Sequence, residues 1–311
     1  MSLQLLQGGK QTKVAALCLA VAMLGCACSG ESARSSGVVA AVGAENEYAN
    51  VISQVGGRYV KVTAILSNPN SDPHSFEASP SVAGDISSAQ LVVQNGVGYD
   101  TFMNSIEAAS PNPERKVIDV QKTLGLPDST PNPHLWYDPG TMPAVAEAIS
   151  RDLSALDPAH ASYFRANLAR FDRSLDPWLR AMASFKADHP DTPVATTEPV
   201  ADYMLEAAGA HVETPWALQA DIMNGVDPAP QDITAEGGLF TGHKVKVFLY
   251  NEQVTDSITQ SFLELAKESG IPVVGVYETM PVPGYDYQTW MLAEVRALDK
   301  AVADKVSTER L

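Results

Sequence analysis

Short apolar stretches alternate along most of the chain with longer stretches of helical periodicity. The apolar stretches are rich in β-branched residues and lie at residues 38–43, 59–66, 91–94, 117–120, 193–197, 211–213, 245–250 and 272–277. Strands separated by helix-length segments are typical of parallel sheets covered by helices. The pattern predicts an α/β protein of two lobes, each a parallel sheet flanked by helices.

A long amphipathic segment, residues 157–188, separates the two halves. Asp157 and Pro158 form a typical helix start, and apolar residues then recur every three or four positions as far as Phe185. Pro177 interrupts the pattern, so we expect a kink there or a split into two helices. The segment predicts a long helical bridge between an N-terminal lobe at 38–156 and a C-terminal lobe at 189–311.

The first 37 residues have the features of an export signal. Lys10 and Lys13 precede an apolar run, residues 14–24, that is too short to span a bilayer. The run ends in Met-Leu-Gly-Cys, which resembles a bacterial lipobox with Cys26 as the lipidated residue. We therefore expect a signal peptide at 1–25, a lipidated polar tether at 26–37 and an extracytoplasmic protein anchored to the bacterial cell membrane. A plain cleavable signal is the alternative.

Composition narrows the chemistry of the folded part. The three cysteines, Cys18, Cys26 and Cys28, all lie in the leader, which excludes disulfides and thiolate metal sites from the lobes. The net charge is -16, and it becomes -18 without residues 1–25, which contain two lysines and no acid. A surface with this much negative charge disfavours the binding of nucleic acid and favours the binding of small cations. The sequence has no GxxxxGK[ST] loop, so we expect no ATP hydrolysis by that route.

Side chains suited to metal binding follow four of the predicted strands. His74 and His134, each next to a proline, lie in the loops after strands 59–66 and 117–120. Glu198 and Glu278 directly follow strands 193–197 and 272–277. Because ligands bind at the carboxyl ends of parallel strands, facing lobes would bring these four side chains together.

Two imidazoles and two carboxylates suit one divalent first-row metal ion, and two ionised glutamates balance its charge. Asp72 and Asp138 flank the histidine loops and could orient the imidazoles, although turn formation explains them equally well. Glu252 is a rival fourth ligand or a solvated loop acid. The remaining histidines are expected to be structural or exposed.

Four motifs resemble the substrate-binding lipoproteins of zinc and manganese ABC importers, the cluster A-I metal-binding proteins. They are DPHSFEASP at 72–80, NPHLWYDP at 132–139, Glu198 before Tyr203, and WML at 290–292. The resemblance implies two α/β lobes bridged by a long helix, with the metal between them. His74 and His134 match the family's two N-lobe histidines, and Glu198 matches a position that is histidine in many zinc-type members and glutamate in several manganese-type ones. Glu278 stands where aspartate is common.

The resemblance also implies a partner permease, a separate ATPase, one transported ion and no catalysis; we expect a monomer. Glu198, and the absence of histidine from residues 121–133, favour Mn²⁺ slightly over Zn²⁺. A secreted metalloenzyme with a two-histidine, one-carboxylate centre is an alternative, although no HExxH helix or nucleophile elbow occurs. A surface adhesin is another alternative, but it leaves the ligands at the strand ends unexplained.

Overall fold

The computed structural model describes residues 37–68, 76–281 and 283–311. The expectations for His74, Asp72, Cys26 and the leader therefore lie outside the described residues. The described part of the chain contains eight strands in two sheets, and these match the eight predicted stretches.

The N-terminal sheet has four parallel strands in the order β2-β1-β3-β4. The strands are β1 (Val39–Glu45), β2 (Val60–Leu66), β3 (Leu91–Gln94) and β4 (Lys116–Asp119). After β1 the chain forms β2 on one side of β1, and it later returns to form β3 on the opposite side of β1. Such a reversal opens a crevice at the carboxyl ends of β1 and β3, where parallel sheets bind ligands.

The C-terminal sheet repeats this topology, with parallel strands in the order β6-β5-β7-β8. The strands are β5 (Thr192–Thr196), β6 (Ala210–Val212), β7 (Val247–Asn251) and β8 (Val273–Val276). The corresponding crevice lies at the carboxyl ends of β5 and β7.

Helices connect and cover the strands. Those of the first half are α1 (Asn46–Gly56), α2 (Pro80–Ser88), α3 (Thr101–Ala109), α4 (Val120–Thr123) and α5 (Thr141–Leu156). Those of the second half are α8 (Asp202–Ala207), α9 (Trp216–Met223), α10 (Pro230–Thr241), α11 (Ser257–Glu268) and α12 (Tyr287–Asp304). The two-lobe α/β prediction is confirmed.

Two helices occupy the segment predicted as the bridge. They are α6 (Ala161–Ser174) and α7 (Asp176–Asp188), and a 3-10 turn at Pro158–His160 precedes them. Pro177 is the second residue of α7, where its missing N–H leaves no hydrogen bond unmade, so the segment is split at Leu175 rather than kinked. A helical turn starts at Asp157 and Pro158 as predicted, but the Asp157 carboxylate makes no capping hydrogen bond to the backbone. It pairs instead with His160 Nδ1 at 2.6 Å.

One hydrophobic core runs through both lobes. Helix α6 packs against α1 and α5, whereas α7 packs against α12. Trp178 of α7 meets Tyr287 of α12 edge to face with ring centroids 5.9 Å apart, and both side chains are fully buried. The bridge is therefore part of the core and limits the relative motion of the lobes. None of the described helices is long and apolar enough to cross a membrane.

A glycine shapes the end of β1. A Cβ on Gly43 would collide with the backbone of Ala49, so only glycine lets α1 fold back this closely on its strand. The tight connection places the consecutive residues Glu45, Asn46 and Glu47 at the carboxyl end of the sheet.

A buried carboxyl group ties the last helix to the N-terminal lobe. Glu294 Oε1 accepts a hydrogen bond from Trp290 Nε1 at 3.0 Å and a second, at 3.3 Å, from Tyr137 Oη, whose one hydrogen is shared with Tyr277 O. Burial raises the pKa of Glu294 to about 8, and the two hydrogen bonds offset only part of that effect. The folded protein therefore holds this group neutral over a pH range in which the unfolded chain ionises it.

We expect the stability of the wild type to fall as the pH rises from about 4.5 to about 8, since the folded-state pKa of Glu294 is raised above the unfolded value. Glu294→Gln keeps an acceptor for Trp290 without the ionisation. The unfolding temperature of this variant should decline less steeply with rising pH. At pH 8 its free energy of unfolding should exceed that of the wild type by an amount on the order of a few kcal/mol. Thermal unfolding at pH 5 and pH 8 measures this. Glu268→Gln, on the exposed side of α11, should behave like wild type, and equal slopes for all three proteins would contradict the assignment.

Candidate metal centre

The carboxyl ends of the two sheets face a common buried cleft. His134 follows β4 through a loop that ends in a 3-10 turn at Leu135–Tyr137, and Glu278 lies two residues after β8. His134 Nε2 is 3.4 Å from Glu278 Oε2, and both side chains are fully buried. The structure thus brings together one predicted ligand from each lobe.

Glu198 joins the same cluster through an amide. Asn251, the last residue of β7, donates from Nδ2 to Glu198 Oε1 at 3.1 Å and to Glu278 Oε1 at 2.7 Å. Tyr99 Oη donates to Glu278 Oε2 at 2.9 Å. Glu198 is 1% exposed, and Asn251 is fully buried. The C-lobe glutamates therefore lie on either side of one neutral donor.

Another asparagine orients the imidazole. Asn132 Oδ1 accepts from the backbone N–H of His134 at 3.0 Å and lies 2.8 Å from His134 Nδ1. Its own Nδ2 donates to Pro199 O at 2.7 Å, which assigns Oδ1 as the acceptor and so places the proton on Nδ1. Nε2, the nitrogen nearest Glu278, is then the one able to bind a metal ion.

The backbone at Glu278 is held by Gln253. Gln253 Oε1 accepts the N–H groups of Glu278 at 2.7 Å and Thr279 at 2.9 Å. Gln253 Nε2 donates to Thr279 Oγ1 at 2.9 Å, which fixes the amide orientation. The loop after β8 is therefore rigid where it presents its carboxylate.

Hydrogen bonds cross the cleft around the cluster. Asn46 Nδ2 donates to Met280 O, and Met280 N donates to Asn46 Oδ1, both at 2.8 Å. Tyr137 Oη donates to Tyr277 O at 2.9 Å, and Tyr287 Oη donates to Trp136 O at 2.6 Å. The segments next to His134 and Glu278 are thus bonded to the opposite lobe.

The cleft holds further acids at the N-lobe crevice. Glu45 and Glu47 are fully buried, and their carboxylate oxygens have no hydrogen-bond partner among the described residues. Burial raises the pKa of both groups well above the ordinary value; Asp100 and Glu47 add to the effect on Glu45, and Glu278 adds to that on Glu47. Burial also raises the pKa of Asp100 to about 6. An excess of buried negative charge favours protons or a cation here.

The other candidate residues have different surroundings. Asp138 Oδ1 accepts the N–H of Gly140 at 2.7 Å, as in a turn, and Asn132 is the partner of the imidazole. Glu252 is half-buried and its Oε2 lies 3.6 Å from Arg310 Nε, whereas its neighbour Asn251 faces the glutamates. The histidines outside the cleft include His160, His189 and His211, which pair with Asp157, Asp299 and Glu213.

Sequence reasoning missed both asparagines and the pair Glu45 and Glu47. The signals were present: an Asn-Pro-His triplet, an asparagine at the end of an apolar strand, and a Glu-x-Glu at the end of the first strand. Within the ranges 37–68, 76–281 and 283–311, no three His, Cys, Asp or Glu side chains are grouped so that they could hold a metal ion. The predicted set also includes His74, which lies outside these ranges.

A buried, acid-rich cleft between two parallel α/β lobes that share a helical bridge is the architecture of a two-lobed ligand-binding protein. The chain belongs to the family described as "Zinc-uptake complex component A periplasmic", whose model matches residues 42–301.

Similar proteins have been named for several metals. The chain is 23% identical over 239 residues to the manganese-binding lipoprotein MntA of Bacillus subtilis, covering 72% of this chain and 74% of that protein. It is also 23% identical over 241 residues to the iron-binding protein YfeA of Yersinia pestis, covering 73% and 75%. The structure of FpvC from Pseudomonas aeruginosa with Ni²⁺ has a TM-score of 0.69 at 22% identity, covering 88% of this chain and 100% of that one. A crystal structure of ZnuA has a TM-score of 0.69 at 20% identity, covering 86% and 100%. At these identities the solved structures show the fold.

We expect Asn132→Ala to weaken metal binding by roughly 10- to 100-fold, because an imidazole that loses its Nδ1 partner also loses its orientation. Competition titration with a chromogenic chelator measures the affinity. Asn224→Ala removes an exposed asparagine that bonds only within its own turn and serves as the matched control. An affinity within twofold of the control would show that the Asn132 contact does not position a ligand.

Proposed function

We propose that this chain is the extracytoplasmic metal-capturing component of an ABC importer, which binds one Mn²⁺ or Zn²⁺ between its lobes and delivers it to a membrane permease. The observation that carries the proposal is the approach of His134 and Glu278 to 3.4 Å from opposite lobes inside a fully buried cleft. Membership of the zinc-uptake family and similarity to a manganese-binding lipoprotein support Zn²⁺ and Mn²⁺ as the candidate transported ions. The chain is a binding component, so it is not an enzyme.

In this proposal the ion is held by His74, His134, Glu198 and Glu278. The support for Glu198 and Glu278 is their burial and their connection through Asn251. The support for His134 is its burial and its approach to Glu278 at 3.4 Å. The assignment of His74 is supported by its sequence motif and by its position after β2 in the chain. Two ionised glutamates compensate a dication, and the amide between them adds no charge, so the cluster still needs a cation. Asp72 stays a candidate for orienting an imidazole.

Ion binding in the cleft is coupled to the release of protons from Glu45 and Glu47. As long as no cation is present, burial keeps their pKa values high and favours their neutral forms. A dication close by favours ionisation, so uptake of the ion releases protons.

We expect Glu278→Ala to lose metal binding or to weaken it by at least about 100-fold, because it removes a charged ligand and leaves Asn251 without one acceptor. Native mass spectrometry and elemental analysis, with Zn²⁺ and Mn²⁺ in competition, measure stoichiometry and affinity. His134→Ala and Glu198→Ala should behave alike, and Glu252→Ala, at the Arg310 surface, is the matched acid control. Unaltered stoichiometry and affinity in Glu278→Ala would remove this residue from the ligand set.

The finer assignments concern location and assembly. We propose that residues 1–25 are removed, that Cys26 carries the lipid, and that residues 26–37 tether a monomeric body at 38–311 to the outer side of the cell membrane. The lobes and bridge at 38–156, 157–188 and 189–311 then form the receptor that meets the permease, whose ATPase is a separate chain. Several relatives are named lipoproteins, which supports the anchor.

We expect Cys26→Ser to move the protein from the membrane fraction to the soluble fraction without changing its metal affinity, because the anchor lies outside the lobes. Labelling with a fatty-acid analogue and detergent phase partitioning measure the two forms. Cys28→Ser is the matched control and should stay lipidated. A Cys26→Ser protein that remained in the detergent phase would overturn the lipobox assignment.

A further inference from the structure

Tyr99 contacts a candidate ligand of each lobe. It lies in the N-lobe loop that follows β3, and its Oη donates to Glu278 Oε2 at 2.9 Å. Its ring meets the imidazole of His134 edge to face, with ring centroids 5.9 Å apart. Glu278 Oε2 is also the oxygen that lies 3.4 Å from His134 Nε2. The hydroxyl therefore bonds across the cleft to the carboxylate oxygen nearest the imidazole.

This hydrogen bond is compatible with ion binding by the same oxygen. An ionised carboxylate oxygen has two lone pairs, so it can accept from Tyr99 and still bind an ion. Donors of this kind orient ligating carboxylates, and their loss weakens metal binding although they do not touch the ion. Asn251 bonds to the other oxygen, Oε1, from within the C-lobe. The Tyr99 bond then sets the plane of the carboxylate from the opposite side.

The loop that carries Tyr99 has a strained backbone. Gly96, Val97 and Gly98 have φ values of 78°, 52° and 77°, all in the left-handed region. Glycine adopts such values freely, but a β-branched residue such as valine is an outlier there. Strain of this kind persists only where the surroundings impose it, and it is concentrated at ligand-binding sites. The conformation of Val97 therefore points to a function for this loop.

Two side chains impose the strained conformation. Asp100 accepts the backbone N–H of Asn95 through Oδ2 at 2.6 Å and that of Gly96 through Oδ1 at 3.0 Å. Gln121 Oε1 accepts the N–H of Val97 at 2.7 Å. The Nε2 of Gln121 donates to Asp128 Oδ1 at 2.8 Å, which assigns the orientation of this amide. Tyr99 therefore follows a stretch of backbone that is fixed at three consecutive N–H groups.

The same loop is joined to the histidine loop. Asn95 Nδ2 donates at 2.8 Å to the carbonyl of Pro133, directly before His134. Asn95 Oδ1 accepts from Tyr48 Oη at 2.7 Å, and Asn95 is fully buried. Tyr99 is thus held at a fixed distance from the imidazole within its own lobe, while its hydroxyl reaches the other lobe.

We propose that Tyr99 is a positioning residue that orients the Glu278 carboxylate for the ion, and that the strained loop at residues 95–100 holds Tyr99 in place for this task. Because Tyr99 and Glu278 belong to different lobes, their hydrogen bond exists only while the lobes are together. Loss of the hydroxyl should therefore act mainly on release of the ion. The inference rests on the proposed function, since it assumes that Glu278 binds an ion.

Tyr99→Phe tests the orienting contact, because it removes the hydroxyl and keeps the ring against His134. We expect the rate of Zn²⁺ release, measured by stopped flow against excess chelator, to rise roughly 10- to 100-fold. The rate of capture should change by less than about threefold. The visible bands of the Co²⁺-loaded protein should also change, because one ligand atom moves relative to the ion.

Gln121→Ala tests the loop without altering Tyr99 or a candidate ligand. It removes the acceptor of the Val97 N–H, so the loop relaxes and Tyr99 loses its fixed position. Release of Zn²⁺ should be faster in this variant too. Because Gln121 acts through Tyr99 in this proposal, the variant with both substitutions should release Zn²⁺ about as fast as Tyr99→Phe alone.

Tyr277→Phe is the matched control. It removes the hydroxyl of the residue directly before Glu278, and that hydroxyl accepts from the backbone N–H of Leu311 at 3.4 Å. Its Zn²⁺ release rate should stay within about twofold of the wild type, and its cobalt bands should be those of the wild type.

Unchanged cobalt bands or an unchanged release rate in Tyr99→Phe would overturn the orienting role. Effects of Tyr99→Phe and Gln121→Ala that multiply in the double variant would overturn the role of the loop. In either case the metal-binding function stands. A wild-type protein that binds none of Zn²⁺, Mn²⁺ and Co²⁺ would instead contradict the proposed function itself.

Discussion

The burial of several carboxyl groups in one cleft is the constraint on which the rest of the structure depends. Glu198 and Glu278 are almost completely excluded from solvent, and Glu45 and Glu47 lie at the facing crevice. Isolated buried charges are strongly unfavourable, so such a cluster persists only with protons or a cation to balance it. Neutral donors, mainly asparagine amides and tyrosine hydroxyls, organise these groups without satisfying their charge. That combination distinguishes a binding site from an internal salt bridge.

The lobes meet over a shared core, and this sets the kind of motion that the site can use. Helices α6 and α7 are separate elements joined at the buried Leu175, and each packs against a different lobe. A break of one residue between two packed helices allows a small change of angle but not a wide hinge. The Asn46–Met280 pair adds two hydrogen bonds between the lobes, so a change of angle that parts the lobes there must break both.

The strands and their ends could be read from the sequence because burial on both faces leaves a local signature in composition. His134, Glu198 and Glu278 were predicted in this way, as side chains suited to metal binding placed after such strands, and the structure brings all three into one buried cluster. Asn132 and Asn251 were not found. Asn132 contacts Pro199, 67 positions away in the chain, and Asn251 contacts Glu198 and Glu278, 53 and 27 positions away. Nothing in the local sequence around an asparagine indicates such distant partners. The helix start at Asp157 was predicted correctly, but the pairing of its carboxylate with His160 was not.

The two tyrosine contacts around the histidine loop have a mechanical consequence. Tyr137 Oη bonds to the carbonyl of Tyr277, directly before Glu278, and Tyr287 Oη bonds to the carbonyl of Trp136, two residues after His134. Each bond joins the backbone beside one ligand to a side chain of the other lobe. Both bonds therefore hold His134 and Glu278 close together and resist any force that separates the lobes at this point. The lobes can part here only when both bonds are lost, so any opening of the cleft at this point starts with the two tyrosine hydroxyls.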